Sequence, residues 1–234
     1  MLDEYKQHAA ERAALGLPPK PLNSTQTTAL VELLVRPPAG EEARLLELVR
    51  ERVPGGVDPA AAVKAAFLSS LARGEARSPL IDRARAVALL GGMSGGHSVA
   101  PLVALLDDDA LGERAAVELA ATLLIFDAFG DVAARAAAGC EPAARVLHAW
   151  ADAEWFTRRP APPRRITVIA FKIDGEITTD DLSPAVDAWS RPDIPLHARS
   201  LLRRRAPDAL AQLAALRRSG HPVAFVGDVV GTGS

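Results

Sequence analysis

The run ITVIAFKIDGEITTDDLSPAVDAWSRPDIP, residues 166–195, marks where this chain changes character. Its first part, Ile166–Lys172, is rich in β-branched residues and is bounded by proline-rich sequence and the Asp174-Gly175 turn, which predicts a strand. From Asp174 to Leu196 no regular period follows, and an irregular stretch of that length within a compact domain is either functional or disordered. Ile177, Leu182, Val186, Trp189 and Ile194 supply apolar anchors that argue against disorder. The same stretch gathers Asp174, Glu176, Asp180, Asp181, Asp187 and Asp193 around a single arginine, Arg191. Carboxylates so placed are expected to hold the arginine, whose planar fork suits a two-point grip on a carboxylate ligand. An internal clamp that merely pins the loop is the alternative, and these residues alone leave both open.

Beyond this stretch, Leu201–Ser219 reads as a basic helix stopped by Gly220, and Pro222–Gly227 as a second strand. A β–loop–α–β unit normally belongs to a larger sheet, so this region is read as an incomplete α/β domain. The chain then ends on the glycine-rich GDVVGTGS, residues 227–234, which reads as a loop cut short. Before residue 166, RRPAPPRR (158–165) reads as a proline-stiffened connector. Its arginines lack the interleaved aromatics of a single-strand nucleic-acid site. The basic strip Arg199, Arg203, Arg204, Arg205, Arg217 and Arg218 reads in the first place as a solvated helix face.

Residues 1–157 carry helical periodicity between proline and glycine breaks. Ser24 is placed as the cap of a helix stopped by Pro37-Pro38, a second helix is read over Glu41–Val53, and Asp58-Pro59 is a strong helix start. That third helix is expected to turn Val63, Ala66, Phe67 and Leu71 inward. Residues 84–126 read as helix, glycine turn, helix, acidic turn, helix, with Leu102, Val103, Leu105 and Leu106 facing Val117, Leu119 and Leu123; this is HEAT-like patterning. The domains are therefore an all-helical one over 1–157, a linker over 158–165 and a partial α/β domain over 166–234.

Composition narrows the function classes. Hydrophobic residues make up 49% but aromatics only 4%, so the core is built from Ala, Leu and Val. A net charge of −2 gives no general attraction to nucleic acid or acidic membranes. The chain has one cysteine, Cys140, which excludes an internal disulfide and fits a reducing compartment. No segment has the apolar length to span a bilayer, and the acidic N-terminus is unlike a targeting peptide; a cytoplasmic location is expected. His8, His97, His148, His197 and His221 show no pairing at ligand spacing and are read as structural, with no metal site in the chain.

ITTDDLSPA (177–185) resembles the swivel-domain signature of the aconitase superfamily, and TTDDLSPAVDAWSRPDIPLHA (178–198) resembles its aconitase B branch. GDVVGTGS resembles the start of an active-site motif that continues in that family with Ser and Arg. AERAALGLPPKPL (10–22), LVRPPAGEE (34–42), RVPGGVD (52–58), VKAAFL (63–68), GEARSPL (74–80), LLIFDAF (123–129) and WADAEWF (150–156) follow in the family's order. The resemblance covers essentially the whole chain.

What the resemblance implies is a helical HEAT-like domain, then the start of a swivel domain, of a hydro-lyase that interconverts citrate and isocitrate through cis-aconitate in the tricarboxylic acid cycle. Action on 2-methylisocitrate stays open. Arg191 then matches a substrate-carboxylate ligand and Asp180 its supporting acid. Ser234 matches the serine that binds substrate and acts as base, with Gly231 and Gly233 allowing close backbone approach. A [4Fe–4S] cluster is implied for the complete enzyme; it needs three thiolates, so none is expected on this chain, which is expected to be inactive alone. Cys140 is read as an ordinary thiol at a helix junction. Self-association or a protein partner through the helical domain, and messenger RNA in the cluster-free state, are the implied partners. The alternative class is a non-enzymatic helical-repeat module that binds protein or RNA.

Overall fold

A computed structural model describes residues 1–122 and 128–233. Contacts divide it into two units, residues 1–5 with 20–160 and residues 6–19 with 161–234. Residues 6–19 share the helical periodicity of the amino-terminal region, yet their contacts are with residues 161–234.

The described part of the first unit is helical throughout. Helix α1 (Leu2–Ala14) opens the chain, followed by α2 (Ser24–Val35) and α3 (Glu42–Glu47). The cap of α2 is Asn23, not Ser24: its side chain accepts from the Gln26 amide while Gln26 bonds back to the Asn23 amide. Asparagine one residue earlier completes this reciprocal box, and Ser24 becomes the first helical residue. The helix read over 41–53 is not uniform either, because after Glu47 it widens into a π-turn, Leu48–Arg52. Helix α4 (Pro59–Arg73) starts as expected, with Asp58 accepting from the Ala60 amide and Pro59 in the first turn. Phe67 and Leu71 point inward, but Ala66 is exposed, and the inward stripe includes Lys64 and Leu68 instead.

Helix α5 (Arg83–Gly91), a 3-10 turn at Gly96–Ser98, α6 (Val99–Ala104) and α7 (Gly112–Ala120) reproduce the order read over 84–126. Leu102, Val103, Leu105, Leu106 and Leu119 are buried, whereas Val117 is 57% exposed. Leu123 and most of the LLIFDAF segment lie outside the described residues. Helices α8 (Phe129–Ala137), α9 (Glu141–Ala151) and α10 (Glu154–Thr157) complete the unit. One continuous core runs from Tyr5 and Leu22 to Val146, made almost entirely of Leu, Val and Ala. Small side chains let helices approach closely, which is how so few rings suffice.

Among the described residues the second unit holds four short strands. β1 (Ile169–Lys172) pairs in parallel with β3 (Val223–Val226), and β2 (Glu176–Thr178) pairs in parallel with β4 (Val229–Thr232). β1 begins at Ile169, three residues later than the β-branched run suggests, and residues 158–168 are exposed. β2 falls within the stretch read as irregular, and β4 within the terminal loop. Strands of three and four residues are too short to register as a period. Between β2 and β3 lie α11 (Thr179–Leu182), a 3-10 segment Ala185–Ser190, α12 (Ile194–His197) and α13 (Ala209–Arg217). The helix read over 201–219 is thus confined to its second half, because Leu202 adopts a left-handed backbone with φ of 56° and breaks it. The core of this unit is small: Phe171, Ile177, Leu202, Ala209 and Leu213.

Two glycines test this packing. Gly74 caps α4 at φ +77° with open space around it, while Gly96, at φ +60°, would place a Cβ 2.1 Å from the Gly56 carbonyl oxygen. Thermal unfolding of Gly74→Ala should show a loss of about 1–2 kcal/mol from the left-handed penalty alone. Gly96→Ala should lose roughly twice that or more, since backbone must move as well. Equal losses would contradict the close approach.

Candidate functional site

The strands bring residues 174–182 against residues 226–233. The Gly175 amide donates to the Asp228 carboxylate at 2.9 Å, Thr232 Oγ1 donates to the Glu176 carboxylate, and Thr179 Oγ1 donates to the Gly233 carbonyl at 3.1 Å. Gly231 and Gly233 take φ of +83° and +86°, a region glycine enters without penalty. Gly227 is tighter: a Cβ there would meet Ile177 at 2.9 Å. Ser234 lies outside the described residues.

After β2, Thr178 caps α11 and Asp181 closes a reciprocal box. Thr178 Oγ1 accepts from the Asp181 amide at 3.1 Å, and the Asp181 carboxylate accepts from the Thr178 amide at 2.9 Å. That backbone hydrogen bond, with the Thr178 hydroxyl and the charge of Arg205, holds the Asp181 carboxyl below its ordinary pKa against a partial opposing effect of burial. The Asp181 carbonyl accepts from the Leu202 amide at 2.8 Å, which accounts for the left-handed turn of a buried leucine.

Arg191 stands at the end of the 3-10 segment, exposed. Its only side-chain hydrogen bond among the described residues runs from Nη2 to the Ser183 carbonyl at 3.5 Å, and it forms no ion pair with them. The expectation that the surrounding carboxylates hold it is overturned, because each of them is used elsewhere. Asp174 pairs with Lys172, Asp187 with Arg203 and Asp193 with Arg12, while Asp181 bonds the Thr178 amide and Glu176 takes the Thr232 hydroxyl. Asp180 accepts from the Ala185 amide at 2.6 Å rather than from Arg191. The fork of Arg191 therefore remains available for a ligand, the condition for a two-point grip on a carboxylate.

The apolar anchors also prove different from expectation. Ile177 is fully buried, but Val186, Trp189 and Ile194 are 55%, 73% and 77% exposed. Polar contacts hold the loop instead. Arg12 donates Nη1 and Nη2 to the two oxygens of Asp193 at 2.6 and 3.0 Å, and its Nε to the Pro18 carbonyl at 2.9 Å. Both side chains are nearly buried, at 10% and 14% exposure. Arg203 bonds the buried Asp187 at 3.0 Å. His197 is flanked by the Ser183 and Ser190 hydroxyls, each at 2.8 Å. Because the Ser190 hydroxyl donates to the Asp187 carbonyl at 2.7 Å, its contact with His197 requires Nδ1 to be the donor. The basic strip is accordingly not a plain solvated face: Arg199 donates to the Leu15 carbonyl, and Arg205 to the Asp174 carbonyl.

Cys140 sits at the junction of α8 and α9 and donates weakly to the Leu106 carbonyl at 3.4 Å. It is far too little for an iron–sulfur cluster, which needs three thiolates.

Residues 4–156 match a family model described as the aconitate B N-terminal domain, and residues 168–234 match one described as the aconitate hydratase 2 N-terminus. With the helical unit, the α/β unit and the loop arginine in place, the class is that of the aconitases. Curated proteins named aconitate hydratase B from Pseudomonas aeruginosa and Escherichia coli are each 55% identical over the whole of this chain, and one from Helicobacter pylori is 43% identical. The chain belongs to the aconitate hydratase B family. It spans 28% of the length of the first two relatives and 27% of the third.

The depressed acidity of Asp181 gives a pH signature. A carboxyl whose folded pKa lies below its unfolded value contributes stability that is complete above the unfolded value and is lost as pH falls through the folded one. Amide exchange at Thr178 and Leu202 should therefore accelerate in that acid window. In Asp181→Asn, exchange should already be fast at neutral pH and should lose that component of the acid dependence. Identical acid profiles in the two proteins would refute the assignment.

Proposed function

We propose that this chain serves an aconitate hydratase, a hydro-lyase interconverting citrate and isocitrate through cis-aconitate in the tricarboxylic acid cycle, with Arg191 binding a substrate carboxylate. The observation that carries the reading is an arginine left without an ion pair in a loop of six carboxylates, each already engaged. Asp180 supports it indirectly: by fixing the Ala185 amide it shapes the turn that leads into the 3-10 segment ending at Arg191. The resemblance assigns Ser234 a role in substrate binding and as the base. Serine is a poor base at its free pKa, so that role requires positive charge and backbone donors around it.

The family's [4Fe–4S] cluster acts as a Lewis acid on the substrate hydroxyl. One cysteine, committed to a helix junction, does not fit as its ligand set. Within the proposal, this chain's part is to bind and orient substrate. The helical unit is proposed to serve self-association or a protein partner, and messenger RNA is a further proposed partner. A cytoplasmic location and domain limits near 157 and 166 belong to the same reading. No helix among the described residues is long and apolar enough to cross a membrane.

The test is aconitase activity of the complete gene product, reconstituted with iron and sulfide, comparing wild type with Arg191→Lys. Lysine keeps the charge and loses the fork, so KM should rise and kcat/KM should fall about 10²-fold or more. The 234-residue chain alone should show no turnover. Unchanged kinetics in the variant would mean that Arg191 does not touch substrate.

A further inference from the structure

Helix α4 buries Ala61, Ala65, Leu68 and Ala72, and on the same buried side it carries Lys64, only 4% exposed. A lysine so placed is costly unless its ammonium finds a counter-charge. Among the described residues its ammonium has no hydrogen bond and no ion pair, and its nitrogen keeps contact with solvent. Burial lowers its pKa, and the through-space attraction of Glu51 offsets this only in part. Glu51 itself is bonded to Arg50 at 2.6 Å.

Lys64 lines an open cleft of about 450 Å³, together with Leu46 of α3, Arg50 and Glu51 of the π-turn, and Arg85, Ala88, Leu89 and Gly92 along α5. Arg85, Ala88 and Leu89 of α5 and its cap Gly92 fall at i, i+3, i+4 and i+7, one stripe of about 10 Å along the helix. Arg85 stands at one end of that stripe and is exposed. Its Nη1 donates to the Leu80 carbonyl at 3.2 Å, and among the described residues the guanidinium makes no other hydrogen bond and no ion pair. The π-turn brings Arg50 and Glu51 to the rim; such turns are uncommon and occur often at functional sites. Three cations and one carboxylate thus line the cleft, with Leu46, Ala88 and Leu89 as its apolar part.

We propose that this cleft binds a small aliphatic dicarboxylate, one carboxylate on Lys64 and the other on Arg85. The buried cation supplies a single charge, matched to one carboxylate, and the apolar floor suits a short hydrocarbon link. A compact phosphate is disfavoured. It carries its charge at one point, whereas the proposal places one carboxylate on each of two cations. The site lies wholly in the helical unit and is independent of the reading given to Arg191.

The experiment is an NMR titration of the isotopically labelled 234-residue chain with succinate at constant ionic strength, following the amides of Lys64, Ala88 and Leu89. Inorganic phosphate is titrated in parallel. Saturable shifts at these amides are expected, weakened about tenfold or more in both Lys64→Met and Arg85→Gln and unchanged in Arg191→Lys. Lys64→Met should fold and melt no lower than wild type, since it removes a charge whose burial Glu51 offsets only in part. Should it fail to fold, the exposed Arg85→Gln decides the matter. No saturable response, a response retained in either variant, or an equal response to phosphate would overturn the proposal. Binding abolished only in Arg191→Lys would also overturn it, and would instead support the reading of Arg191.

Discussion

The bidentate pair between Arg12 and Asp193 is the contact on which the geometry of the α/β unit rests. The residues lie 181 positions apart in sequence, and both side chains are nearly buried. Asp193 also caps α12, accepting from the Leu196 amide at 3.3 Å, so one carboxylate orders the segment on both sides of itself. Burying such a pair carries a large desolvation cost, and its net contribution to stability is small compared with the loss when one partner is removed. Its consequence is specificity: only one placement of the loop satisfies both oxygens. Arg191, two residues before Asp193, takes its position from that placement.

A small apolar core explains why polar contacts carry this task. Five buried side chains form it, and the loop contributes Ile177, with the partly buried Leu182 packed against it. Trp189, Ile194 and Val186 leave their apolar surface exposed, so they do not hold the loop. Arg203 on Asp187 and His197 between two serines add directional bonds, which fix orientation better than apolar burial does. The helical unit is the opposite case. Its Leu, Val and Ala core is continuous, and its charge at Lys64 stands out because Glu51 offsets the burial only in part.

Much of the fold is legible in the sequence, for physical reasons. Asp58-Pro59 and Pro37-Pro38 act locally, so the helix bounds they set hold, as does the order of helices over 84–122. Asn23 displaces Ser24 because a capping box depends on the residue three positions on, Gln26, which a single-residue reading ignores. β2 and β4 are hidden because each is stabilised by its partner, some fifty residues away, rather than by its own pattern. At the site, one arginine among acids was legible, but the acids' partners were not. Arg12, Arg203, Leu202 and Gly227 are distant in sequence or ordinary in type, and no local signal marks them. The closest available hint was the charge balance: five basic residues between Arg199 and Arg217 follow the six acids of the loop.

The most direct test of this account is a double-mutant cycle on Arg12→Gln and Asp193→Asn, read from amide exchange at Arg191 and His197, whose amides bond the Ala188 and Asp193 carbonyls at 3.1 and 2.9 Å. Each single variant should speed exchange at both amides about 10²-fold or more, and the double variant should be no worse than either single one. Additive effects, or exchange at Arg191 indifferent to the loss of Arg12, would show that the loop is held by something other than this pair.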